Sequence, residues 1–128
     1  MPLGETKGLR ILIVEDEILV AMNVEDMVVE LRHTVAAVAT RLNQALTLAA
    51  SSEIDLAILD LNLSGSLSFP VADILRQRGI PFMFATGYGA HGLTEEYRNE
   101  TVLVKPYGVH QLENAIKSVI AIPVAQTK

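Results

Sequence analysis

The 128-residue sequence has no cysteine and no tryptophan, and its aromatic content stops at three Phe and three Tyr. Without thiols there is no disulfide framework, thiolate nucleophile or zinc-thiolate site, a usage that fits a reducing compartment. Basic residues are also scarce: ten Lys and Arg stand against fifteen Asp and Glu, a formal net charge of −5, and they never cluster beyond a residue or two. Phosphate-backbone binding needs a concentrated positive face, so nucleic acid is excluded as a direct partner. Long apolar runs are missing too. The stretch 119–125 is interrupted by Pro123 and falls far short of the roughly 20 residues that cross a bilayer, so no membrane partner is expected. The apolar run 11–14 is cut off by Glu15, Asp16 and Glu17, which excludes a secretory signal and makes a cytoplasmic location the expectation. What is present is 50% hydrophobic and 20% charged, the balance of one folded domain rather than a disordered chain. That domain is expected over 9–122, with tails at 1–8 and 123–128.

Short apolar runs at 11–14, 34–39, 56–59, 80–85 and 101–104 read as strands buried on both faces of a parallel sheet. Between them the apolar period becomes helical. Val20, Val24, Met27, Val28 and Leu31 mark one helix, and Leu42, Ala45, Leu46 and Ala49 a second, with Thr40 expected as its N-cap. The Ser/Gly-rich segment 64–68 leads to a third, carrying Val71, Ile74 and Leu75, with Ser68 as N-cap, Pro70 in the first turn and Gly79 closing it. Val109, Leu112, Ile116, Val119 and Ile120 supply the last stripe. The stretch 87–100 should hold one more helix, yet it has three glycines and only Leu93 and Tyr97 as spaced anchors. A short, distorted or mobile fourth helix is expected there. This alternation is an α/β pattern: a doubly wound five-stranded parallel sheet, order 2-1-3-4-5, with ligands bound beyond the strands' carboxyl ends.

Those ends carry the chemistry. Glu15 and Asp16 follow the first run, Asp60 the third, Thr86 the fourth and Lys105 the fifth. Three carboxylates on one rim repel each other unless a proton or a cation intervenes. An all-oxygen donor set suits Mg²⁺, and a hydroxyl and an ammonium are the groups needed around the other oxygens of a phosphoryl ligand. Gly87 leaves room for an incoming group. His33, His91 and His110 have no ligand spacing and are expected in surface or capping roles, as are Asp55 and Asp73 in solvated or capping ones.

The acidic pair in Val-Glu-Asp-Glu (14–17), Asp60 in Leu-Asp-Leu-Asn, Thr86, Lys105 and Pro106 together resemble the receiver domain of two-component response regulators, over essentially the whole chain. The nine residues 81–89, Pro-Phe-Met-Phe-Ala-Thr-Gly-Tyr-Gly, are similar to the signature of the FAT GUY receiver subfamily (CheY-like fold). The resemblance implies Asp60 as phosphoacceptor, Asp16 as a direct Mg²⁺ ligand, Glu15 acting mainly through coordinated water, and Asn62 offering its backbone carbonyl. It also implies that Thr86 and Lys105 contact the phosphoryl group and that the bond before Pro106 is cis. The implied phosphodonor is a sensor histidine kinase, of HWE or HisKA2 type. Output would go through an unknown downstream protein or as a phosphate sink, from a stand-alone monomeric receiver. Where many receivers carry an aromatic switch residue this chain has Val102, so Tyr88 is the substitute candidate, with Tyr107 completing the switch and partner surface. Two other readings compete. A haloacid-dehalogenase phosphatase wants a second Asp where Asn62 stands, and a flavodoxin-like cofactor binder needs a phosphate loop where 15–17 are all acidic.

Overall fold

A computed structural model describes residues 8–121. Apart from Gly8, the expected tails lie outside the described residues. The main elements are β1 (Arg10–Val14), α1 (Ile18–Glu30), β2 (Thr34–Ala39), α2 (Leu42–Ser51), β3 (Leu56–Asp60), β4 (Asn62–Leu63), β5 (Ser66–Leu67), α3 (Phe69–Arg78), β6 (Phe82–Thr86), β7 (Val102–Val104) and α4 (Val109–Ala121). Five strands form a parallel sheet in the order β2-β1-β3-β6-β7, which is the expected 2-1-3-4-5 once the small antiparallel pair β4–β5 is set aside. The register of β2 on β1 slips between Ile11 and Leu12, so Ala36 is the extra residue of a bulge.

Alternation along the strands splits the core into two layers. Leu12, Val14, Ala57, Leu59, Phe82 and Phe84 pack under α2 and α3, while Ile11, Ile13, Leu56, Ile58, Met83 and Ala85 pack under α1 and α4. Side chains on successive strand residues point to opposite faces, and both faces are covered, which is why the runs are continuously apolar.

Several boundaries differ from expectation. The third and fourth strands take in their polar terminal residues, because Asp60 is in register with Ala85 and Thr86 with Val104. The fourth strand starts at Phe82 rather than residue 80. The N-cap of α2 is Arg41, not Thr40, whose N–H instead donates to Gln44 Oε1 at 3.0 Å. Ser68 does occupy the N-cap position of α3, but its buried hydroxyl makes no hydrogen bond, and the capping is left to its carbonyl. Gly79 closes α3 at φ +71°. In place of a fourth helix there are two 3-10 turns, Gly89–Gly92 and Glu95–Tyr97. The first comes so close that a side chain on Gly92 would collide with Leu61.

Tyr97 pins the second turn. Its ring is 1% exposed, stacks on Phe69 at 5.0 Å, meets Phe82 and Phe84 edge-on, and is covered by the Arg76 guanidinium 4.1 Å from its centroid. Its hydroxyl donates to Asp73, which stays exposed on α3 as expected and holds the ring through this bond. Arg76 also pairs with Glu100 at 2.7 Å. Asp55 is likewise not free: it receives the Arg10 guanidinium at 2.9 Å.

His33 departs from its expected surface role. It is buried, and its Nδ1 accepts the N–H of Leu9 at 3.2 Å, tying the start of β1 to the end of α1. Burial lowers its pKa below the usual 6.5. The unfolded chain therefore takes up the imidazole proton first as pH falls, so the His33 contribution is complete above about pH 6.5 and is lost below it. His33→Gln is expected to flatten the acid side of a melting-temperature profile below about pH 6.5.

Candidate functional site

The parallel sheet brings the β1, β3, β6 and β7 carboxyl ends to one rim. Glu15 is held there by its N–H, which donates to Ala39 at 2.9 Å, and Lys105 by its own N–H, which donates to Thr86 at 2.9 Å. Glu15, Asp60 and Thr86 are all buried. Glu15, Asp16 and Asp60 each place a carboxylate oxygen within 4.8 Å of the other two. The Lys105 ammonium lies 2.8 Å from Glu15 Oε1 and 3.3 Å from Asp60 Oδ1. All five sequence-designated strand-end residues therefore meet on this rim.

The electrostatics follow from burial and crowding. Burial, and then the neighbouring Glu15 charge, raise the Asp60 pKa to about 7, and Lys105 offsets only part of this. Burial alone would lower the Lys105 pKa, but its bond to Glu15 and the charges of Asp60 and Glu15 hold it above its usual value. Asp16 runs the other way: burial pushes it up, and a hydrogen bond donated by Ser64 Oγ at 2.6 Å helps to hold it below the ordinary carboxylate value. A cluster of three acids with one lysine is short of positive charge. Its donors are all hard oxygens, so a divalent cation of the Mg²⁺ or Ca²⁺ kind fits it.

The remaining candidates sit around this centre. Asn62 opens β4, and its side chain accepts the Gly65 N–H at 2.7 Å, so its backbone carbonyl is what it can offer an ion. Thr86 Oγ1 accepts the N–H of Tyr88 at 3.1 Å, but the Tyr88 ring is 79% exposed and touches the site only through its backbone. Val102 is partly buried on β7. Tyr107 packs against the α1/α4 layer, and burial, followed by the charges of Glu15 and Asp60, raises its hydroxyl pKa. The Lys105–Pro106 peptide is cis. Ser64 was legible only as part of a polar loop, and the Ser-Gly pair within it was the available sign of a tight turn.

The model for the response regulator receiver domain matches residues 11–117. The chain belongs to the response regulator receiver family. Over 101 residues it is 36% identical to the phyllosphere-induced regulator PhyR of Methylorubrum extorquens, a match covering 76% of this chain and 38% of PhyR. This receiver thus spans well under half the length of that curated relative. It is similar to the solution structure of SdrG from Sphingomonas melonis Fr1, with a TM-score of 0.81, 37% identity, and coverage of 91% of this chain and 100% of SdrG. It is also similar to the BeF3-activated conformation of SdrG from Pseudomonas melonis Fr1, with a TM-score of 0.77, 36% identity and the same 91% and 100% coverage. The family is one of signalling regulators rather than of classical enzymes, and a receiver implies a phosphodonor such as a histidine kinase. Among the described residues no helix is long and apolar enough to cross a membrane.

Proposed function

We propose that this receiver, of FAT GUY type, accepts a phosphoryl group on Asp60 from the phosphohistidine of a sensor kinase and signals by protein contact or drains phosphate as a sink. A carboxylate oxygen of Asp60 forms a bond to phosphorus as the phosphorus–nitrogen bond of the donor breaks, and the imidazole leaves with that electron pair. Water later attacks phosphorus, releasing inorganic phosphate and restoring the carboxylate. Asp16 and Asp60 would hold Mg²⁺ through side-chain oxygens, Asn62 through its carbonyl and Glu15 through coordinated water. When bound, Mg²⁺ supplies the positive charge that the crowded oxygens lack. Lys105 neutralises one oxygen of the incoming group, and the Thr86 hydroxyl donates to another. The observation that supports this most is the convergence of Glu15, Asp16 and Asp60 within 4.8 Å, with Lys105 at 3.3 Å from Asp60. We place the chain in the cytoplasm as a monomer.

Incubation with Mg²⁺ and acetyl phosphate is expected to yield one hydroxylamine-labile phosphate, mapping to Asp60. A label elsewhere, or none, would reject the reading. Mg²⁺ is also expected to raise the melting temperature by binding the native site alone, and Asp16→Asn to remove most of that rise.

A further inference from the structure

Between the acceptor strand and α3, residues 62–67 form a two-stranded hairpin with Asn62 opposite Leu67 and Leu63 opposite Ser66. Its two loop residues are Ser64 and Gly65, with φ +53° and +95°. Two consecutive positive φ values suit a turn that favours Asn-Gly, Asp-Gly or Gly-Gly. Gly65 meets the second requirement without cost, but Ser64 is a side chain in the left-handed region, where only Gly, Asn and Asp are at ease. The hairpin is firmly seated, so this conformation is no stray loop. Leu63 is buried, Leu61 donates its N–H to Ala85 at 3.0 Å, and the Leu61 carbonyl accepts the Ser68 N–H at 2.9 Å. What the unusual residue brings is its hydroxyl. Delivered from the tip of the turn, Ser64 Oγ donates to Asp16 Oδ2 at 2.6 Å across 48 positions of sequence.

We infer that Ser64 is a positioning residue for the cation site, its hydroxyl fixing the rotation of the Asp16 carboxylate so that this ligand is aligned before an ion arrives. One oxygen of Asp16 is occupied, and the plane of the group is therefore set by a β3–α3 hairpin that carries no ligand side chain of its own. A carboxylate held in this way loses less rotational freedom when it binds metal, and outer partners of this kind affect affinity strongly. The inference rests on the proposed Mg²⁺ site and concerns the loop that orients it. It also separates two roles of residue 64: the backbone turn, which Gly would serve better, and the hydroxyl, which Gly lacks.

That separation gives the experiment. Mg²⁺ is titrated into the full chain and its affinity read from amide NMR shifts, alongside metal-free melting temperatures, for wild type, Ser64→Gly, Ser64→Ala and Asp16→Asn. Ser64→Gly is expected to melt at or above wild type without metal, since it relieves the positive φ, yet to bind Mg²⁺ about tenfold more weakly. Ser64→Ala should show the same weakening together with a lower melting temperature. Wild-type affinity in Ser64→Gly, with Asp16→Asn still impaired, would overturn the positioning role and leave the site reading standing. If wild type itself shows no Mg²⁺-dependent shifts around Asp16 and Asp60, the site reading fails and the role of Ser64 fails with it.

Discussion

Asp60→Asn is expected to lose every trace of hydroxylamine-labile phosphate while gaining thermal stability in Mg²⁺-free buffer at pH 7. The first effect is chemical: an amide oxygen is too poor a nucleophile to form the anhydride, even beside the Lys105 ammonium, which lies 3.3 Å from Asp60 Oδ1. The second is electrostatic. Burial and the Glu15 charge raise the Asp60 pKa to about 7 in the metal-free fold. Between about pH 4, the unfolded value, and about pH 7 the native state therefore retains a proton that the unfolded chain has released. Stability is full below that window and declines as pH climbs through it. Asn at position 60 carries no charge to be confined near Glu15, so the decline should vanish in the variant. In wild type, Mg²⁺ should restore the lost stability at pH 7. Calorimetric melting at pH 5 and pH 7.5, with and without Mg²⁺, reads all of this. A wild-type profile that rises across the same range after the opposing His33 contribution is removed would contradict it.

Tyr97→Ala is expected to destabilise the fold by about 3–5 kcal/mol, the range for emptying a large aromatic site. Four of the six aromatic residues in the chain meet at this ring: Phe69, Phe82, Phe84 and Tyr97 itself. With net stabilities of about 5–15 kcal/mol for domains, such a loss removes a large share of the total. Tyr97→Phe keeps the stacking and the Arg76 contact and removes only the hydroxyl given to Asp73, so about 1–2 kcal/mol is expected. Urea unfolding of the two variants separates the ring from the hydroxyl. Equal losses in both would show that the Asp73 bond, not the aromatic packing, anchors the 95–97 turn.

The architecture was readable because strands covered on both faces are continuous apolar runs, and the polar residue after each run marks the rim. That is why Glu15, Asp16, Asp60, Thr86 and Lys105 could be named before their distances were known. The weak helical pattern of 87–100 likewise announced its irregularity. Other features depend on neighbours distant in the chain. Strands of two residues have no periodicity, so β4 and β5 were invisible, and with them the reach of Ser64 to Asp16. Tyr97 stood out as an anchor, but its partners come from α3 and β6, so the aromatic cluster exists only after folding. His33 reads as one polar residue among others until the backbone of Leu9 is brought to its ring.

The bulge at Ala36 changes what this border of the sheet offers to another strand. β2 lies at the border of the sheet and reads Thr-Val-Ala-Ala-Val-Ala, with no charge, proline or glycine to repel a second chain. An unguarded border of this composition is a template for strand addition and fibril growth. Because one residue is out of step, the outward amides and carbonyls do not form the even ladder that an incoming straight strand requires. Irregular backbone geometry here serves the protective purpose that lysines serve on other sheets.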